Sequence, residues 1–238
     1  FSNPNLGIYL NNNLIYSDAI PLFALFFKIF NFILPDNFQY FSLWFLFSLY
    51  LQGLISFLII FKLTKSLNYS LIGSIFFIFS TIMINRITEF PAHFGQWIIL
   101  LFFYIELLDK NKKLILQNLV ILLSLLINFY FTIILLIIFF INQFYNLISI
   151  QKSLYSVIKH SVIVLTLVIL FMYIFGYFQI SPDDGLGWGY GYYNLNLNSL
   201  FNPLGETYTK INWSNFISTK PIQKGQYEGF SYLGVSGL

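Results

Sequence analysis

The chain is expected to be an all-α polytopic membrane protein, on three observations. Apolar residues fill 58% of its 238 positions and charged residues only 9%, against roughly a quarter charged in soluble domains. The apolar residues gather in long runs at 39–62, 70–85, 95–109, 114–128, 130–150 and 161–180. Lysines fall in alternate connections between those runs: Lys62 and Lys65, then Lys110, Lys112 and Lys113, then Lys152 and Lys159. That alternation marks the lysine-bearing connections as cytoplasmic and the intervening ends as outer.

Residues 1–17 are rich in Asn and hold neither Lys nor Arg, so they read as a loop. Residues 19–34 read as an apolar helix interrupted by Lys28 and Asn31, which lie three apart on one face. Ser17 or Asp18 can cap its start, and Pro21 is tolerated in a first turn. At about 24 Å it is short of the ~30 Å hydrocarbon core. Crossing would also put the lysine-free segment 1–17 in the cytoplasm. It is therefore read as an interfacial juxtamembrane helix, with residues 1–18 outside.

Of the six runs, 39–62, 130–150 and 161–180 are long enough to span. The other three are shorter, which suits helices packed against protein or a water-filled cleft. The bundle, with its first outer loop, thus occupies 1–180. Residues 181–238 form a long outer loop, rich in Gly and aromatics. It leads toward a further span at Tyr232-Leu233-Gly234-Val235. A chain that opens with Phe1 inside a loop and closes as it turns apolar is expected to be an internal piece of a longer polytopic protein.

Several function classes lose support. A net charge of +3 gives no reason to expect nucleic acid, and the absence of cysteine removes thiolate metal sites. There is no Gly-rich phosphate loop, no histidine pair at zinc spacing and no nucleophile elbow. The spans are nearly uncharged, which disfavours a transporter or flippase with charges along a path.

Seven of the nine acids gather on the outer side: Asp18, Asp36, Glu89, Asp183, Asp184, Glu206 and Glu228. Asp18, at the junction of loop and helix, reads either as a helix cap or as a general base at the membrane surface. Arg86, the one arginine, can fork two hydrogen bonds onto a phosphate or pair with Glu89 as an interfacial anchor. His93 serves packing and capping equally well. Glu106 and Asp109 precede Lys110 and Lys113 by four residues, as structural ion pairs do, and His160 beside Lys159 reads as an inner anchor. Asn128 either satisfies turn backbone or lines a cleft. Asp183-Asp184-Gly185 reads as a reverse turn, although paired carboxylates can hold a divalent cation against a diphosphate. No other cofactor is implied. Trp188 and Tyr190, among glycines, offer faces to a sugar or a lipid headgroup, or form part of an aromatic belt.

Three stretches together carry a family resemblance. They are Tyr16-Ser17-Asp18-Ala19-Ile20-Pro21-Leu22 running on to Phe38-Gln39-Tyr40-Phe41, then Tyr192-Tyr193-Asn194-Leu195-Asn196-Leu197 with Leu200-Phe201-Asn202-Pro203, then Gly225-Gln226-Tyr227-Glu228-Gly229-Phe230 with Tyr232-Leu233-Gly234. In order and spacing they resemble an uncharacterised family of bacterial polytopic membrane proteins grouped with the GT-C superfamily glycosyltransferases. The resemblance implies a GT-C-like helical bundle, with a span missing before Phe1, in the bacterial cytoplasmic membrane and with its active face outside or periplasmic. It also implies transfer of a sugar from a polyprenyl-phosphate donor to a glycan, lipid or protein acceptor. Asp18 would be the catalytic base. Arg86, or Lys28, would receive the phosphate, and Glu89, His93, Gln226 and Glu228 would shape the acceptor side. The chain departs from the family where outer histidines are usual: Gln96 and Asn128 stand in two of those places and His93 is offset. A non-catalytic scaffold or assembly subunit of cell-envelope glycan synthesis is the alternative those departures keep open.

Overall fold

The structure, a computed structural model, describes residues 18–35, 37–80, 83, 90–108, 113–149 and 153–178. Among these, helix is the only regular secondary structure. The α-helices are α1 (Pro21–Lys28), α2 (Phe41–Thr64), α3 (Leu67–Ile78), α4 (Trp97–Glu106), α5 (Lys113–Leu125), α6 (Phe129–Ser149) and α7 (Leu154–Phe175), with a 3₁₀ turn at Pro91–Gly95. The chain divides into two compact units, one of residues 1–78 with 87–179 and one of 79–86 with 180–238. All the helices named belong to the first.

Helices dominate because an apolar solvent leaves backbone groups no partner outside the segment itself. Three of them, α2, α6 and α7, with 24, 21 and 22 residues, are long and apolar enough to cross a membrane. Helices α3 and α5 are apolar but shorter, at 12 and 13 residues. The centre of the bundle is α4, whose Trp97, Ile98, Phe102 and Ile105 are all buried. It packs against α2, α5 and α6.

Successive helices run in opposite directions. Close antiparallel packing of α2 on α3 uses small residues: a Cβ on Gly53 would lie 2.7 Å from Ile78 Cδ1, and one on Gly73 2.5 Å from Ile60 Cδ1. Ser70 and Ser74, both buried, turn their hydroxyls back to carbonyls of their own helix, Ser66 and Leu71. Such residues let helix backbones approach without exposing a polar group to lipid. The remaining turns sort cleanly. The C-terminal ends of α2, α4 and α6, with Lys62, Lys65 and Lys113 beside them, lie toward one end of the bundle. Asp18, α1, the 3₁₀ turn, the α5–α6 turn and the end of α7 share the other.

Several element boundaries differ from the sequence expectation. Instead of a helix over 19–34, α1 has eight residues and is about 12 Å long. Beyond it the backbone bonds shorten to the turn pattern (Phe30 N–H to Phe27 O, Ile33 N–H to Phe30 O). Ile29, Phe32 and Ile33 there are exposed, so no packing sustains a longer helix. Helix α7 starts seven residues earlier than expected, at Leu154, because the Ser153 hydroxyl accepts the Ser156 N–H and caps it. Lys159 and His160 therefore lie inside its second turn. It stops at Gly176, whose φ of 81° closes the last turn through bonds from Gly176 N–H to Tyr173 O and from Tyr177 N–H to Met172 O.

Candidate functional site

The end of the bundle that carries α1 is assembled around Trp44, which is fully buried. Its Nε1–H donates to the Pro91 carbonyl at 2.8 Å, tying α2 to the 3₁₀ turn. One helical turn further, Trp97 Nε1–H reaches Ser48 Oγ at 3.3 Å. Phe23 of α1 meets the Trp44 ring edge-on, with centroids 5.0 Å apart. Gly95 lies under the same ring. A Cβ there would meet Ile127 Cγ2 at 2.7 Å and Trp44 Cζ2 at 3.1 Å. Gly95→Ala must push apart a rigid ring and a branched methyl, and is expected to cost about 1–3 kcal/mol. Gly53→Ala, which meets only the flexible tip of Ile78, is the matched control. The two melting temperatures in detergent should separate accordingly.

The segment leading into α1 is clamped to this framework by its backbone. Tyr40 donates its hydroxyl to the Ala19 carbonyl. The Leu22 N–H donates to the Leu126 carbonyl of the α5–α6 turn at 2.8 Å. Between them Ile20 is fully buried with φ 49° and ψ 72°. The following Pro21 disfavours right-handed helix at Ile20, and a β-branched residue at positive φ is strained by about 1–2 kcal/mol. Burial of Ile20 and Pro21 and the two flanking bonds hold it there. Burial also raises the Tyr40 hydroxyl above its ordinary pKa, so the clamp stays protonated. Its contribution is complete below about pH 10 and is lost only as pH climbs past the raised value.

This geometry corrects the cap role of Asp18. Ile20 occupies the N-cap position. Pro21 has no N–H, Leu22 donates to Leu126, and Phe23 and Ala24 donate to Ile20 O, so the first-turn amides are engaged by backbone carbonyls. Asp18 is half-buried just ahead of the clamp, brought to the same end of the bundle as His93, Gln96 and Asn128. The His93 ring lies over Tyr130 at 5.7 Å and 24°, with Phe90 and Phe131 edge-on, which is a packing role. Asn128 Oδ1 accepts the Tyr130 N–H at 2.9 Å and caps α6. Lys28 is exposed in the last turn of α1. Arg86, Glu89, Trp188, Tyr190, Asp183, Asp184, Gln226 and Glu228 lie outside the described residues.

The opposite end holds a polar cluster that sequence reasoning paired differently. Lys113, expected to pair with Asp109, instead forms an ion pair with Glu106 and donates to its carbonyl at 2.9 Å. Gln117, buried on α5, donates to Glu106 Oε1, and Asn142 of α6 donates to the same oxygen at 2.7 Å. One carboxylate thus joins α4, α5 and α6. Asp109 and Lys110 lie outside the described residues.

Tyr40, Trp44 and Gly95 carry the framework, and sequence reasoning assigned them no site role. Their partners are 21 to 51 residues away, and the one local trace is an aromatic run at the start of a span. Among the described residues no group of three or more His, Cys, Asp or Glu is placed to hold a metal ion.

Helices of this length and apolarity, with the described charged side chains at or near their ends, define an all-α membrane protein. The chain belongs to the family described as Domain of unknown function (DUF6311), whose model matches residues 1–238. No curated protein and no solved structure matches it.

Proposed function

We propose that the chain is the membrane bundle of a GT-C-like glycosyltransferase. It would transfer a sugar from a polyprenyl-phosphate donor to a glycan, lipid or protein acceptor at the outer face of a bacterial cytoplasmic membrane. The observation that carries the reading is the fixed placement of Asp18. A carboxylate at the end of the bundle that carries α1 immediately precedes a backbone clamp made by Tyr40, Leu22 and Leu126. A general base needs that kind of positioning more than it needs an unusual pKa.

In the proposed reaction Asp18 takes the proton of the acceptor hydroxyl and the acceptor oxygen attacks the anomeric carbon. The bond from that carbon to the phosphate oxygen breaks with its electron pair, and the polyprenyl phosphate departs as an anion. Positive charge stabilises that anion, a role for Arg86 with Lys28 as the second candidate. Glu89, His93, Gln226 and Glu228 would face the acceptor, and Trp188 and Tyr190 would offer flat faces to the sugar.

The test uses the purified full-length protein and a labelled polyprenyl-phosphate hexose. Asp18→Asn should bind this donor as the wild type does, yet transfer at least about 100-fold more slowly, in the range that removal of a general base costs. Transfer at the wild-type rate by that variant would sink the assignment. A second reading, a non-catalytic scaffold, draws on one observation: Asn128 and His93 at this end are occupied in capping and ring packing. It predicts no donor binding at all.

Sidedness has its own check, helped by a chain without cysteine. Cysteine at Lys28 should react with a membrane-impermeant maleimide in intact cells. Cysteine at Lys62, exposed at the other end, should react only after permeabilisation. The reverse pattern would move Asp18 to the cytoplasm and end the outer-face reading.

A further inference from the structure

Six tyrosines are exposed among the described residues: Tyr50, Tyr69, Tyr130, Tyr145, Tyr155 and Tyr173. Five of them stand within about one turn of a helix end, where a phenol reaches the interface and its water. Tyr50 breaks the pattern. It lies nine residues after the start of α2 and twelve before Lys62. At 1.5 Å per residue that is about 14 Å from one end of the span and about 18 Å from the other, farther in both directions than a tyrosine side chain extends.

The Tyr50 side of α2 faces away from the bundle, opposite the side that buries Trp44, Ser48, Gln52 and Ser56. The residue is 65% exposed, and no described residue gives its hydroxyl a hydrogen bond. Leu46 and Leu54, one turn above and below, are exposed with it, and Leu43 and Phe47 extend the same face. A hydroxyl in hydrocarbon gives up its water with nothing in exchange. Among the described residues, Thr166 of α7 is the other exposed polar side chain deep in a span. Its short hydroxyl can turn back to a carbonyl of its own helix. A phenol is held too far from its own backbone to do so.

The geometry points to a contact between two copies of the chain: their α2 helices pack in parallel about a two-fold axis along the membrane normal, and Tyr50 bonds to Tyr50 of the partner subunit. Depth selects this occupant. Lipid tails offer a mid-span hydroxyl no partner, and an unrelated helix would have to bring a polar group to the same level. A second copy crosses the membrane in the same orientation, so its own mid-span phenol stands at that level of necessity. A phenol both donates and accepts, so two of them satisfy each other across the axis, as a self-complementary contact requires. The surrounding leucines pack on their counterparts, and one polar side chain in an apolar helix seam fixes the register. This inference does not depend on sugar transfer.

The full chain is tested in the membranes of the cells that make it. Leu46→Cys and Leu54→Cys, in a chain without native cysteine, should each give a disulfide-linked dimer on oxidation with copper phenanthroline. Ile137→Cys, equally exposed at mid-span of α6, should not. Tyr50→Phe removes only a hydroxyl, and from an exposed position. In vesicles, with copies labelled for energy transfer, it should weaken association about 3- to 10-fold, the range of a hydrogen bond between helices in lipid. Tyr145→Phe, near a helix end, should leave association unchanged. Absence of dimers from Leu46→Cys and Leu54→Cys, equal yield from Ile137→Cys, or undiminished association of Tyr50→Phe would overturn the proposal.

Discussion

Glu106→Ala is expected to destabilise the bundle by about 2–3 kcal/mol, because it removes the shared acceptor of a partly exposed ammonium and of two side-chain amides, one of them buried. The carboxylate serves three donors on two other helices, from Lys113, Gln117 and Asn142. Truncation leaves an ammonium and two amides without their acceptor, and the Gln117 amide, buried on α5, has no solvent to replace it. The size of the effect follows from the acceptor being shared. Asn142→Ala deletes one donor from a carboxylate that keeps two others, and should cost only about 1 kcal/mol. Glu106→Gln keeps an oxygen for Asn142 and Gln117 but drops the charge facing Lys113, so it should fall between. Melting of the three variants in one detergent tests the ordering. A Glu106→Ala protein as stable as Asn142→Ala would mean that Glu106 does not join the three helices.

This cluster also shows what a sequence can and cannot reveal here. The helices were legible because lipid-facing and core-facing positions are both apolar, so span after span stands out by composition. Of the lysines whose alternation grouped those connections, Lys62, Lys65 and Lys113 are described, at the ends of α2 and α5, while Lys110, Lys112 and Lys152 lie outside the described residues. The pairing was not legible. Residues four apart on a helix predict Glu106 with Lys110 and Asp109 with Lys113, but α4 ends at Glu106 and the chain reverses, so Lys113 returns to Glu106 from the next helix. The start of α7 carried a readable cap in Ser153. It was obscured because Lys159 and His160 look like connection residues, whereas a lysine inside a helix can extend its charge toward the interface.

The candidate site was legible in one residue and not in its framework. Asp18 stands out as a lone acid where a polar loop turns apolar. That it is not a helix cap depends on Leu22 donating to Leu126, a partner too distant in sequence for any local pattern to reveal. Ile20 at positive φ is likewise invisible beforehand, since a β-branched residue adopts that conformation only when its surroundings force it.

Trp44→Ala is the second large effect expected, at about 3–5 kcal/mol for a fully buried tryptophan. Its consequence should be local before it is global. The ring is the shared wall of two segments: Phe23 of α1 meets it edge-on, and the 3₁₀ turn places Gly95 under it and the Pro91 carbonyl on its Nε1–H. Helix α2 itself continues for another 20 residues beyond Trp44, packed on α3 and α4. Removal of the ring should therefore free α1 and the 3₁₀ turn while the lower part of α2 stays folded, an opening of one region well below the global stability. The Leu22 amide reports this directly, because its bond to Leu126 forms only when α1 is docked. Its hydrogen exchange should accelerate far more than that of amides near Ser56 in α2. Trp44→Phe keeps most of the volume and loses the bond to Pro91, so it should cost about 1–2 kcal/mol and speed exchange at Leu22 less. Unchanged Leu22 protection in Trp44→Ala would show that Tyr40 and Leu126 hold the Asp18 segment unaided. Loss of that protection would make Trp44, a residue remote from any chemistry, the support on which the placement of Asp18 rests.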